Sequence, residues 1–302
     1  MSTNSGAKFL ERIAQGIARE VDPAVSAFAA RLAGESGALA ALFYGSNLRT
    51  GELDGVFDYY LLMPGPPERG LWPRVSFHEW SRDGVQLRAK VATMTLARFA
   101  EAAAGNLLDT TIWARFVQPC ALIWSRDDAV RDTVAASLGA ASTVAARLAV
   151  GCGPASGTEA EYWTALFEAT YAAEFRLETT SRARSIIELN KAHFDGLLPL
   201  TLDAVGIGYA VQGNCIAPAM SRHARRTTLR WWRWRRLAGK PLNLLRLARA
   251  ASTFEGAARY AAWKIERHTG VSIAVTPWRE KHPLLAAPGV MLSVWRARRH
   301  AT

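Results

Sequence analysis

Ala40-Ala-Leu-Phe-Tyr-Gly-Ser46 and Val56-Phe-Asp-Tyr-Tyr-Leu-Leu-Met63 decide how this chain reads. Each is a short apolar run rich in aromatic residues, and each ends on turn residues, Gly45-Ser46 in the first and Pro64-Gly-Pro-Pro67 in the second. Runs of this length and composition between such breakers predict buried strands. One charged residue interrupts them: Asp58, twelve positions after Ser46. On the N-terminal side, residues 8–42 carry a helical pattern, with Phe9, Ile13 and Ile17 and then Val25, Phe28 and Leu32 at helical spacing and a break at Asp22-Pro23. Downstream, Val85 to Met94 and Cys120 to Trp124 are further strand candidates. Helical patterns fill Leu96–Ala104, Asp127–Leu148 and Glu159–Glu188. The segment Gly151–Gly157 (GCGPASG) is the best linker signal. The expected fold class is therefore α+β: a mixed sheet with helices over residues 1–150, followed by a largely helical, basic region over residues 151–302.

Composition narrows the function classes. Half of the 302 residues are hydrophobic, which excludes disorder as the main state. Three scattered cysteines without a CxxC pair argue against a disulfide framework and a zinc site, and suit a reducing cytosol. The first twenty residues show no signal-peptide pattern, and no window reaches the ~18–20 uncharged apolar residues of a membrane span. The expected location is cytoplasmic, with room for attachment to the inner face of a membrane. Charge is uneven: residues 221–302 hold 18 basic against three acidic side chains, whereas residues 1–220 are net acidic. That asymmetry points the C-terminal third at something anionic. Within it, Leu229-Arg-Trp-Trp-Arg-Trp-Arg-Arg-Leu237 sets Trp231, Trp232 and Trp234 among four arginines. Indole and guanidinium side by side suit a phospholipid surface, and equally suit single-stranded nucleic acid. Pro241 is expected to break residues 229–249 into two short helices.

The strand, Gly45-Ser46 turn and acid-bearing strand resemble the polymerase-β-like nucleotidyltransferase superfamily. In that pattern the small turn residues let backbone amides and the Ser hydroxyl approach nucleotide phosphates. Strand carboxylates then hold Mg²⁺, which takes carboxylate together with phosphate oxygens. The usual second carboxylate would stand two residues after Asp58, where this chain has Tyr60; Asp54 is a candidate replacement from the loop. More closely, Phe43-Tyr-Gly-Ser46, the lone Asp58 and Leu87-Arg-Ala-Lys-Val91 resemble the mitochondrial-type CDP-diacylglycerol synthases. These phosphatidate cytidylyltransferases also show a strand Asp lacking its second carboxylate. Ile112-Trp-Ala-Arg-Phe-Val-Gln-Pro119 is similar to a further element of that family, with Arg115 and Pro119 matching and Gln118 in place of a Lys. The longest match is Gly256-Ala-Ala-Arg-Tyr-Ala-Ala-Trp-Lys-Ile-Glu-Arg-His-Thr-Gly270. The likeness covers roughly residues 40–125 and 250–270.

The resemblance implies a nucleotidyltransferase fold and transfer of CMP from CTP to phosphatidate, giving CDP-diacylglycerol and pyrophosphate, with Mg²⁺. It assigns Gly45, Ser46 and Arg115 to the nucleotide, Asp58 and Lys90 to catalysis, and Asp58 to the metal. Lys264, Arg267 and His268 are the candidates for the lipid phosphate, and Trp231, Trp232 and Trp234 for membrane contact. An anionic phosphatidate oxygen is already a nucleophile, so a general base is dispensable. A second lipid phosphate, RNA ends, or an inactive membrane-bound scaffold are the alternatives; Tyr60 weighs against nucleic-acid chemistry, which uses two or three strand carboxylates.

Overall fold

A computed structural model of the chain describes residues 3–70, 73–173 and 180–300. The protein is a mixed α/β molecule built on one five-stranded sheet. Helices α1 (Thr3–Ile17) and α2 (Pro23–Ser36) precede β1 (Ala40–Tyr44), the short α3 (Ser46–Thr50) and β2 (Phe57–Met63). Then come β3 (Arg74–Arg82), β4 (Val85–Thr95), α4 (Leu96–Ala103), α5 (Thr111–Phe116) and β5 (Cys120–Ser125). The strand order is β3-β4-β2-β1-β5, with β2 and β4 parallel and the other neighbours antiparallel.

Both faces of this sheet are covered, which is why β1 and β2 read as continuous apolar runs instead of alternating ones. Phe43, Phe57, Tyr59, Leu61 and Val91 meet Phe28 and Leu32 of α2 on one face. The period-two alternation sends Leu42, Tyr60, Leu62, Ala92 and Met94 to the other. There they join a larger core built around α6 (Asp128–Cys152), which packs on α1, α4, α5, α7 (Glu159–Ala173) and later helices. α6 is the one described helix long and apolar enough to cross a membrane, but two thirds of its apolar window is buried inside the protein.

Beyond α7 lie α8 (Thr180–Leu189), α9 (Lys191–Phe194) and α10 (Leu197–Val205). A hairpin, β6 (Tyr209–Gln212) and β7 (Cys215–Pro218), leads to α11 (Arg222–Thr253), α12 (Ala257–Thr269), α13 (Pro277–Lys281) and α14 (Pro283–His300). The Gly151–Gly157 segment closes the α6–α7 turn, with Gly157 and Ile216 exchanging backbone hydrogen bonds of 3.1 and 2.7 Å. The larger buried cluster spans Phe9 to Trp232, so residues on both sides of position 150 share it.

Two findings depart from the sequence reading. The strand β3 was not foreseen, because Arg74-Val-Ser-Phe-His-Glu-Trp-Ser-Arg82 is a polar edge strand. Its hairpin partner is joined through Asp83-Gly84, where both residues have positive φ (50° and 78°), the geometry that Asp-Gly favours in two-residue hairpins. Pro241 does not split its segment: α11 is one helix of 32 residues. Contacts on both sides of the proline hold it in line. Trp232 and Arg235 are buried before it, and Arg246 pairs with Asp109 after it. At Gly239 a Cβ would stand 2.5 Å from the Ala173 carbonyl oxygen, so the missing side chain allows α11 to lie against the end of α7. The helical stretch read over Glu159–Glu188 contains α7 and most of α8, and the residues that join them lie outside the described ones.

Candidate active site

The alternation that fills the core also aims Asp58, Lys90 and Tyr44 to one place. On β2, Asp58 shares the face of Tyr60; it stands opposite Tyr44 on β1 and opposite Lys90 on β4. Here, at the edge of the core, the sheet face emerges into a cleft of about 560 Å³. Gly45 forms its floor with φ of 93°, and a Cβ there would stand 2.9 Å from Asp58 Oδ2. Glycine is thus needed twice over, for its backbone conformation and for the close approach of the carboxylate. Ser46 opens the single turn of α3 beside it, with Arg49 one turn on.

Across the cleft, Arg115 from α5 donates a 2.8 Å hydrogen bond to the Tyr44 hydroxyl, and its guanidinium lies 5.0 Å from the centre of the Tyr44 ring. Burial raises the Asp58 pKa, and the positive charges of Lys90 and Arg115 pull it back. The Arg115 pKa is raised despite its burial, with the Asp58 carboxylate and the Tyr44 hydroxyl as its partners. Among the described lining residues Asp58 is the sole carboxylate, facing the cations Arg19, Arg49, Lys90 and Arg115. Such a surplus of positive charge around one carboxylate fits a polyanion, and most directly a phosphate chain.

Tyr60 occupies the place of the absent second carboxylate and is buried core, with ring centres 5.7 Å from Tyr44 and 5.2 Å from Phe116. Asp54 does not line the cleft; its backbone carbonyl accepts a hydrogen bond from Asn47 Nδ2. Among the described residues no group of three or more His, Cys, Asp or Glu side chains is placed to hold a metal. One carboxylate beside a serine hydroxyl is nonetheless a fitting donor set for Mg²⁺ that takes its remaining oxygens from phosphates.

The far wall comes from residues outside the sequence-predicted site: Tyr171, Ile186, Leu189, Asn190 and His193, from the α7–α9 stretch. His193 Nε2 lies 2.9 Å from the Val117 carbonyl oxygen, which can only accept, so Nε2 carries the proton. Burial pushes its pKa down to about 4, and the nearby Arg19 and Arg12 add to the effect. No spacing signal marks these positions, since they meet the sheet only through the tertiary fold.

The remaining candidates scatter. Lys264, Arg267 and His268 are exposed on α12 and do not line the cleft. Arg267 stacks 5.4 Å from Trp263 and reaches Gly55, on the loop behind the Gly45-Ser46 turn, while Lys264 lies over Tyr260. Of the three tryptophans expected at a membrane, Trp232 is buried and Trp231 is half-buried; both pack on the fully buried Trp113, at 6.1 and 5.9 Å. They anchor α11 to the core, and Arg235 is buried with them, donating to the Gly105 carbonyl at 2.7 Å. Trp234 alone is open, at 61 % exposure.

Compared with known proteins, the sequence matches no family model and no curated protein.

Proposed function

We propose that the protein is a nucleotidyltransferase of the polymerase-β-like kind, transferring CMP from CTP to a lipid phosphate, phosphatidate first, at a membrane surface. The observation that carries this reading is the convergence of Gly45, Ser46, Asp58, Lys90 and Arg115, chosen from sequence alone, on one cationic cleft. In this reading the triphosphate lies along the Gly45-Ser46 turn, and Lys90, Arg49 and Arg115 neutralise its charge. Asp58 and the Ser46 hydroxyl would hold Mg²⁺; when bound, the ion screens the phosphate oxygens and polarises the α-phosphate. An oxygen of the acceptor phosphate attacks the α-phosphorus, a new P–O–P bond forms, and the bond to the β-phosphate oxygen breaks, releasing pyrophosphate. Lys90 and Arg115, fixed before the reaction begins, stabilise the charge that develops. The acceptor is an anion, so no proton must be removed, and one carboxylate suffices.

Attachment to an anionic bilayer is part of the same proposal. Helix α11 has no acidic residue, and Arg226, Arg230, Arg233, Trp234, Leu237 and Lys240 recur at helical spacing on its exposed side. Leu285, Met291, Leu292 and Trp295 of α14 are also open.

The test is product identity: full-length protein, Mg²⁺, phosphatidate in mixed micelles and CTP labelled at the α-phosphate. Label appearing in a lipid-extractable cytidine diphosphate ester is the expected result. Label remaining wholly in CTP and CMP would refute the transfer.

A further inference from the structure

A second cavity of about 220 Å³ adjoins the cleft, between α1 and α6. The two share Arg19, Gln118, Ala192 and His193, so these residues form the neck where the cavities meet. Their linings differ in kind. The cleft is dominated by cations, whereas the second cavity is walled by Ile13, Ile17, Phe116, Leu138 and Leu197, with Arg12, Gln15 and Ser142 among them and Arg19, Gln118 and His193 at the neck. A ligand that fills both has a polyanionic end and a small flat ring with a polar edge, which is the shape of a nucleoside triphosphate.

The neck is unusual in what its side chains leave free. The Gln118 amide donates through Nε2 to the Ala114 carbonyl at 3.2 Å, and among the described residues its Oε1 accepts from none. His193 spends its one proton on Val117, so the other ring nitrogen, Nδ1, is a bare acceptor. The depressed pKa keeps the ring neutral at pH 7. Both unspent acceptors therefore belong to residues that line the same neck, where Arg19 contributes a donor. Acceptors in that position satisfy an exocyclic amine and repel a ring carbonyl.

Resting on the nucleotidyltransferase reading above, we propose that the smaller cavity is the base subsite, and that His193 Nδ1 and Gln118 Oε1 select CTP over UTP by accepting from the cytosine amine. Uracil presents an oxygen at the position of that amine, leaving both acceptors unpaired. Sites that bind a substrate through a buried hydrogen bond discriminate strongly against the analogue that lacks it.

The experiment is equilibrium binding by titration calorimetry, with full-length protein and Mg²⁺, of CTP, UTP and inorganic tripolyphosphate. Wild-type protein is expected to bind CTP at least ~30-fold more tightly than UTP. Gln118→Met keeps the size of the side chain and removes its oxygen; it should bring CTP and UTP to within about 3-fold of each other, with tripolyphosphate affinity held within about 2-fold. His193→Phe should do the same, and His193→Gln, which still offers a donor and an acceptor, should restore part of the preference. A wild-type protein that does not distinguish CTP from UTP overturns the inference, as does a CTP preference unchanged in Gln118→Met and His193→Phe. If tripolyphosphate itself does not bind, the cleft is no triphosphate site, and the function reading falls together with the base subsite. A loss of tripolyphosphate binding in the variants that matches their loss of CTP would likewise refute base selection.

Discussion

In the proposed reaction Asp58 is the central residue: burial raises its pKa, and the cations Lys90 and Arg115 offset part of that rise. Lys90 is the nearer control by the order of these effects. Lys90→Met is expected to raise the Asp58 pKa, so the acid limb of the pH–rate profile should move to higher pH; an unmoved limb would detach Asp58 from the rate. His193 gives a second pH signature, in stability. Its folded pKa, about 4, lies below the ordinary value of 6.5, so between these two the unfolded chain binds a proton that the native state refuses. Stability is therefore undiminished above pH 6.5 and falls by about 3 kcal/mol as pH drops toward 4, a loss that His193→Gln should largely remove in urea titrations run at each pH. Asp58, Gly45 and Ser46 were legible in the sequence because strand, turn and strand are local. His193 was not: it lies 135 residues after Asp58, on a helical turn that carries no motif.

At the scale of elements, α11 joins an inner face that packs to an outer face that is charged. Composition exposed the mixture of Trp and Arg but not its division, since the phase of a helix against its neighbours is set by what they bury. Trp232 and Trp234, two residues apart, therefore have opposite fates. Trp232→Ala should cost about 3–5 kcal/mol of stability, read by urea denaturation, because it opens a cavity against Trp113. Trp234→Ala should leave the denaturation midpoint unchanged. Arg246→Ala removes the partner of the buried Asp109 carboxylate and is expected to destabilise by about 3–5 kcal/mol. Of the strands, those buried on both faces announced themselves as apolar runs. The edge strand β3 did not, because half of its length faces solvent or pairs its charges, as Glu79 does with Arg88.

Across the whole molecule, the positive charge lies in several settings, of which the cleft around Asp58 is one. Some of it is structural, as with Arg235 and Arg246 inside the protein. A further set covers the open side of α11, next to exposed apolar side chains, and each such cation near an anionic leaflet contributes about 1 kcal/mol. Co-sedimentation with vesicles containing anionic lipid is therefore expected at low salt and should weaken steeply with added salt. Trp234→Ala should reduce it without altering the fold; binding that ignores both salt and Trp234 would place the membrane-facing surface elsewhere. The charge asymmetry of the chain was plain in its sequence. Its division between core and surface was not, because burial is a property of the packed whole.

The most direct measurement of the central claim is pyrophosphate release by wild-type protein and Asp58→Asn, with Mg²⁺, each of the four nucleoside triphosphates and phosphatidate in mixed micelles. Asparagine keeps the shape of the side chain and removes its charge. Release is expected to need both CTP and phosphatidate and to fall by at least about 100-fold in Asp58→Asn. Undiminished release by Asp58→Asn, or none from wild-type protein with any of the four nucleotides, would contradict that claim.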